Sequence, residues 1–266
     1  MNWRKSWSTR LKTTLGLRRK ADIPASFVVW RGVSRLDGET PIKLVASCVS
    51  RASQNSKTGD MIQVSIMRED VSPLTAWLRG LDGAVCPEAC VHRSRARGGQ
   101  GTCYVNKAKV GNAWRGSSGP ALTMAQIRER FSGAMVRGGM EGDGSAVPLE
   151  IWRAIFSVAR GFTGYTAEWR SLSPDWALYF MASCDSVEDA ERAQAAGWRP
   201  FLTSYSQKQD TAASQLDMKQ CPATRETKLP VTCVTCRGCN GLSQGAKRPG
   251  YWVPIHGAEG SKLRAD

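Results

Sequence analysis

From about residue 134 the chain alternates short apolar runs with helical stretches, and that alternation restricts the fold more than any other feature. Residues 134–137, 162–166, 177–183, 201–205 and 251–255 read as strands bounded by glycine, proline and polar turns. Between them, Pro148 opens a helix that runs to about Arg160 and stops at Gly161. Ser186 with Asp189 caps another that ends at Gly197. Strand–helix–strand units of this kind pair in parallel through right-handed crossovers. The expected fold is therefore α/β, with repeated β-α units forming an open or incomplete β/α barrel.

In parallel α/β folds, functional groups collect at the carboxyl ends of the strands. Glu141 and Asp143 follow the strand at 134–137, and Tyr165 and Glu168 end or follow the next. Cys184 and Asp185 follow the third, and His256 follows the last. A four-cysteine segment comes after the strand at 201–205, which places it on the same expected rim.

The earlier part of the chain is β-rich. Residues 27–30, 42–49 and 61–67 read as strands, Ser72-Pro73 opens a short helix stopped at Gly80, and Thr123 with Gln126 forms a capping box. Residues 86–120 read as loop. Residues 22–266 are expected to form a single α/β domain with cysteine-rich loops at 86–103 and 221–239. Residues 1–21 stand apart. They carry seven Lys or Arg and no acid, with Trp3, Trp7, Leu11 and Leu15 recurring every four residues. Such a basic amphipathic helix suits nucleic acid, a membrane surface or a partner groove, or else caps the protein's own core.

Four of the nine cysteines form one pattern: Cys221 followed by proline, then Cys233, Cys236 and Cys239 as CVTCRGC. Two-residue spacers bring three thiols to one point, and Cys221 supplies a fourth. Zinc usually takes paired C-x2-C arms, whereas consecutive two-residue spacers with a distant Cys-Pro are closer to an iron–sulfur ligand set. Thiolates suit both, so an iron–sulfur cluster is the first expectation and zinc the alternative. A second set, Cys86, Cys90, His92 and Cys103, supplies four soft or borderline ligands within eighteen residues and is expected to form a second metal site. Cys48 and Cys184 sit in apolar runs and read as core.

The chain has no apolar leader and no run long enough to span a bilayer, so a cytoplasmic protein with reduced thiols is expected. Its formal net charge of +14 favours polyanionic partners, nucleic acid first and an anionic membrane surface second. Arg93, Arg95 and Arg97 would then neutralise phosphates.

Taken together, SKTGDMIQVSIMREDVSP, CPEACVHR, GTCYVN, GDGSAVPLEIW, GFTGYTAEW, AAGWRPF and CPAT…CVTCRGC resemble a family of uncharacterised phage and plasmid proteins. The resemblance spans roughly residues 55–257 and implies a mobile-element protein working in a bacterial cytoplasm. A looser resemblance is to radical-SAM-type partial barrels, which carry C-x3-C-x2-C. Cys86 and Cys90 match the first spacing, but Arg93 stands at the third position and Cys103 comes ten residues later. The leading expectation is a basic metal-binding protein, iron–sulfur in type, acting on or near nucleic acid. Its rivals are a radical-SAM-like enzyme with a degenerate cluster motif near Cys86, and a non-catalytic zinc-stabilised DNA-binding or replication accessory protein.

Overall fold

The computed structural model describes residues 5–7, 24–53, 55–242, 248–257 and 259–265. Strands β1 (Ser26–Val33), β2 (Pro41–Ser47) and β3 (Ile62–Arg68) form an antiparallel meander. Then β3 pairs in parallel with β4 (Met135–Arg137), and β4 with β5 (Gly161–Thr163). The second sheet is all parallel, in the order β6 (Tyr165–Thr166), β7 (Met181–Cys184), β8 (Pro200–Ser204), β10 (Tyr251–Pro254) and β9 (Lys219–Gln220). Only Gly164 separates β5 from β6, so the chain passes from one sheet directly into the other there. A Cβ on Gly164 would lie 2.9 Å from the Phe180 ring, which is why this junction takes glycine.

The expected α/β class holds as a fold of two five-stranded sheets, one mixed and one parallel. Among the described residues the pairings do not close a barrel. The central sheets are parallel because helices carry the chain back between strands: α4 (Leu149–Phe156) between β4 and β5, α5 (Val187–Ala195) between β7 and β8, and α6 (Gln207–Gln215) between β8 and β9. The helices α1 (Pro73–Arg79), α2 (Lys107–Gly116), α3 (Met124–Phe131) and α7 (Cys233–Cys236) complete the set used below.

Local chemistry accounts for most helix ends. Ser72 accepts from Thr75 N–H and Gly80 closes α1 at φ 67°. Thr123 and Gln126 make the reciprocal capping box of α3, and Ser186 caps α5 by accepting from Asp189 N–H. The expected strand at 177–183 starts later, because Pro174–Leu178 is a 3-10 turn and β7 begins at Met181. The stretch expected as loop, 86–120, contains α2. Its sequence is too polar to announce a helix, and its carboxyl end is held instead by Lys43, whose Nζ donates to Trp114 O at 2.9 Å and Ser117 O at 3.1 Å.

The main core gathers Phe131, Trp152, Phe156, Phe162, Trp176 and Phe180, each burial contributing about 1.5–3 kcal/mol. Trp7 joins it, and its Nε1 donates to Arg130 O at 2.9 Å. At that residue the N-terminal stripe meets the protein's own core; Trp3, Leu11 and Leu15 lie outside the described residues. The parallel sheet has two chemically distinct faces, since side chains alternate along each strand. Leu202 and Trp252 enter the main core, whereas Phe201 and Val253 face a small cluster with Cys221, Ala223 and Cys233.

Candidate metal–thiolate site

Cys221 follows β9 and continues its pairing, donating from its N–H to Trp252 O at 2.8 Å. The other three thiols ride on α7 and the turn after it. Thr232 and Thr235 form a capping box that starts the helix at Cys233 and sets Cys236 one turn on. Arg237 then adopts φ 54°, a left-handed cap that turns the chain so that Cys239 comes back toward the same point. The segment is docked by its backbone. Cys233 N–H donates to Lys57 O at 3.0 Å, Val234 N–H to Thr58 O at 3.2 Å, and Gly164 N–H to Cys239 O at 3.1 Å.

All four cysteines line one cavity, with Thr163 and Tyr251 on its wall. Its volume is about 10 Å³, the size of one water-sized sphere. Burial raises Cys221 and Cys239 and pushes Cys233 up to about 11, and the neighbouring thiols add to each shift. The Tyr165 hydroxyl donates to the Cys239 sulfur and opposes that rise. Burial and mutual repulsion thus both oppose ionisation, and a bound cation reverses that balance by deprotonating coordinating thiols. Among the described residues, no three His, Cys, Asp or Glu side chains stand together closely enough to hold a single ion as placed.

This segment packs by the junction of the two sheets rather than directly beyond β8. Lys57 and Thr58 precede β3, Leu242 N–H donates to Ala177 O ahead of β7, and Cys239 O accepts from Gly164 between β5 and β6. Cys221 itself follows β9. The rim expectation assumed that the segment leaves the carboxyl end of β8, but α6 carries the chain back before β9 and Cys221.

The second set reaches the carboxyl ends of β7 and β8 through His92. Asp185 follows β7, and its Oδ1 stands 3.0 Å from His92 Nε2. His92 Nδ1 is 2.6 Å from Thr102 Oγ1, and its ring stacks on Tyr205, just beyond β8, at 6.5 Å. Burial works against the His92 charge, but Asp185 outweighs it and raises the histidine. Both ring nitrogens of the expected ligand His92 are thus engaged, by Asp185 and Thr102, and its charge acts on Cys90 nearby. The Cys86 and Cys90 thiols act on each other, which lowers Cys90 and raises Cys86. Cys103 lies within electrostatic reach of Cys90, and burial raises it. Beside Cys86, Asp82 is buried with neither carboxylate oxygen hydrogen-bonded, and burial pushes it up; Arg97 Nη1 is 3.6 Å away.

The alternating arginines all have partners in or beside this loop. Arg97 donates to Cys86 O at 2.7 Å and pairs with Glu88; Arg93 donates to Cys90 O at 3.0 Å and meets Glu88 at 3.0 Å. Arg95 meets Glu259 at 3.1 Å. Beside the loop, a cleft of about 640 Å³ is lined by both signs of charge, including Arg35, Arg68, Asp37, Glu88 and Glu168. That mixture does not suit a polyanion.

The other rim candidates have structural partners. Asp143 accepts from Thr166 Oγ1 and Ala167 N–H, both at 2.7 Å, tying the loop after β4 to the end of β6. Glu141 is buried against Lys107 Nζ at 2.8 and 2.9 Å. Glu168 accepts from Ser171 Oγ at 2.8 Å. His256 Nδ1 lies 3.0 Å from Pro254 O, with its ring tilted over Tyr104 at 5.7 Å. Cys184 is buried in the core as expected, while Cys48 is half-buried just past β2. Sequence reading missed Lys107 and Arg199, the buried cations nearest the two thiol sets, because nothing in KAKVGNAWRG or GWRPF marks them as interior.

No family model, curated protein or solved structure matches this chain. Among the described residues no helix is long and apolar enough to cross a membrane.

Proposed function

We propose that this chain is a metal–thiolate protein, iron–sulfur in type, with Cys221, Cys233, Cys236 and Cys239 as the ligands of its principal centre. The observation that supports this most is the convergence of four thiols, from segments eleven residues apart, on one buried cavity. Apolar packing alone does not gather four cysteines around a void. The two-residue spacers favour a cluster, although the void is smaller than a four-iron core and the segment must open to seat one; zinc suits the same donors and needs only that the thiols draw together. Purification of the full chain without oxygen, followed by metal and sulfide analysis, tests the reading. Brown protein with about four iron and four sulfide per cluster supports it. Colourless protein with stoichiometric zinc keeps the site but overturns the cluster, and metal-free protein overturns both.

A second reading is favoured by a separate observation. Cys86, Cys90 and Cys103 lie within electrostatic reach of one another, beside a buried carboxylate, Asp82, that makes no hydrogen bond and faces Arg97 at 3.6 Å. In the same loop His92 meets Asp185 at the carboxyl end of β7, where α/β enzymes place their chemistry. Three thiolates without His92 would hold a centre with an open position, the arrangement expected of a radical-SAM-like enzyme on an incomplete barrel. Reductive cleavage of S-adenosylmethionine by the iron-loaded protein tests it; an intact cluster that leaves the compound untouched counts against it. Action on or near nucleic acid, in a bacterial cytoplasm and on behalf of a phage or plasmid, is supported by the charge of +14 and the resemblance alone. Arg93 and Arg97 are tied to Glu88 and the loop carbonyls, and Arg95 is the most exposed of the three.

A further inference from the structure

Two buried guanidinium groups flank the four-thiol cavity, and neither meets a carboxylate. Arg199, immediately before β8, is 5% exposed. Its Nη1 donates to Gly241 O at 2.6 Å and Asn240 Oδ1 at 3.4 Å, its Nη2 to Gly238 O at 2.8 Å and Pro249 O at 2.9 Å, and its Nε to Arg248 O at 3.2 Å. Every acceptor is neutral. Arg137, the last residue of β4, is 8% exposed and donates from Nη2 to the Tyr104 hydroxyl at 3.0 Å. Among the described residues neither is in a salt bridge.

A buried cation without an anion is strongly disfavoured, and hydrogen bonds to neutral carbonyls satisfy its donors but not its charge. The groups able to become anions here are the thiols: Cys239 and Cys236 lie within electrostatic reach of Arg199, and Cys233 within that of Arg137. Four thiolates around a divalent ion carry two net negative charges, and so do four thiolates around a four-iron core of charge +2. The two guanidiniums are the buried part of the positive surround of either centre, and Lys57 adds charge near Cys221 and Cys233. Outer partners of this kind orient the ligands and tune the metal.

We propose that Arg137 and Arg199 are the counter-cations of a dianionic tetrathiolate centre at Cys221, Cys233, Cys236 and Cys239, with Arg199 also positioning Cys239 by clamping the carbonyls on either side of it. This rests on the metal–thiolate reading above. The inference does not depend on which metal binds, because the charge count is the same for both.

The test uses the full chain with its native metal, exposed to excess EDTA, and follows metal remaining per chain over time. Five variants are compared with the parent: Arg199→Gln, Arg199→Lys, Arg137→Gln, Arg137→Lys and Tyr104→Phe. The glutamine variants should lose metal about tenfold faster or more, the usual effect of removing an outer-shell partner. Arg137→Lys should stay close to the parent, since it keeps the charge, and Arg199→Lys should fall between the parent and Arg199→Gln, since it keeps the charge but loses the fork that clamps the carbonyls around Cys239. Tyr104→Phe should not change the rate, which separates the charge of Arg137 from its one hydrogen bond. Glutamine variants that match the parent, or lysine variants that fail as badly as glutamine, overturn the proposal. If Arg199→Gln does not fold, the Arg137 pair carries the comparison alone. A parent protein that holds no metal overturns the reading beneath it, and that outcome is visible before any variant is made.

Discussion

Lys107 and Glu141 show what a buried charge requires in this protein. Both side chains are almost fully enclosed, and Lys107 Nζ also lies 4.6 Å from the Trp77 ring. Burial works against the Lys107 charge, but Glu141 and the neighbouring thiols outweigh it and raise the lysine. Burial likewise pushes Glu141 up, and Lys107 opposes that push. The two short contacts are those of an ion pair, and we take both groups as charged. Glu141→Gln should therefore destabilise the protein by about 3–5 kcal/mol in urea denaturation, since it strands a buried ammonium. Replacing both partners with Met and Leu should cost less than that single change. Asp189 makes the pH case. Burial disfavours its charge, yet Arg170, at 2.6 Å, and Arg192 outweigh burial and hold the carboxyl below its usual value. A depressed acid adds stability above its unfolded pKa and loses it as pH falls through the folded one. Asp189→Asn should thus be less stable than the parent at pH 7, by about 1 kcal/mol, and converge on it below about pH 3. The cysteines were legible at this scale because spacing alone identifies them. Lys107 and Arg199 were not, because their roles are set by what packs around them.

The legible elements were those with chemical punctuation. Ser72 and Gly80 around α1, Thr123 and Gln126 at α3, and Ser186 at α5 fix their helices through side-chain caps. Helices α2 and α6 escaped because their sequences are polar. Only Ala213 is buried along α6, so no apolar stripe announced it. Missing α6 is what placed the cysteine segment directly after β8, since that helix and β9 come between. The segment's seat also depends on backbone that only glycine can supply. Gly241 sits at φ 59°, and a Cβ there would lie 2.4 Å from Ala177 O. Gly241→Ala should cost about 1–3 kcal/mol in denaturant and speed metal loss to a chelator, because it lifts the segment from the turn before β7. Retained stability with unchanged metal release would show that the segment is not seated as described.

Across the whole molecule, the two thiol sets occupy different surroundings. Cys221, Cys233, Cys236 and Cys239 line a small cavity by the junction of the two sheets, whereas Cys86, Cys90 and Cys103 belong to a loop beside a polar cleft. Enclosure suits a structural or electron-storing centre, and a place beside a cleft suits one that meets a substrate. The charge of +14 was legible in composition, but where it acts was not, since the arginines singled out by their alternation are held by Glu88, Glu259 and the carbonyls of Cys86 and Cys90. If phosphate neutralisation drives binding, affinity for single-stranded DNA should fall by an order of magnitude or more between about 50 and 200 mM salt. Salt-independent binding would contradict phosphate neutralisation, and no binding at low salt would contradict a nucleic-acid role. The claim on which the account turns is that the enclosed thiols hold one centre. Its most direct test is the metal content of Cys233→Ser/Cys236→Ser beside the parent and Cys86→Ser/Cys90→Ser, all purified without oxygen. The account predicts that the first variant loses the metal of the enclosed site while the second keeps it. Full metal retention in Cys233→Ser/Cys236→Ser, or a metal-free parent, would contradict it.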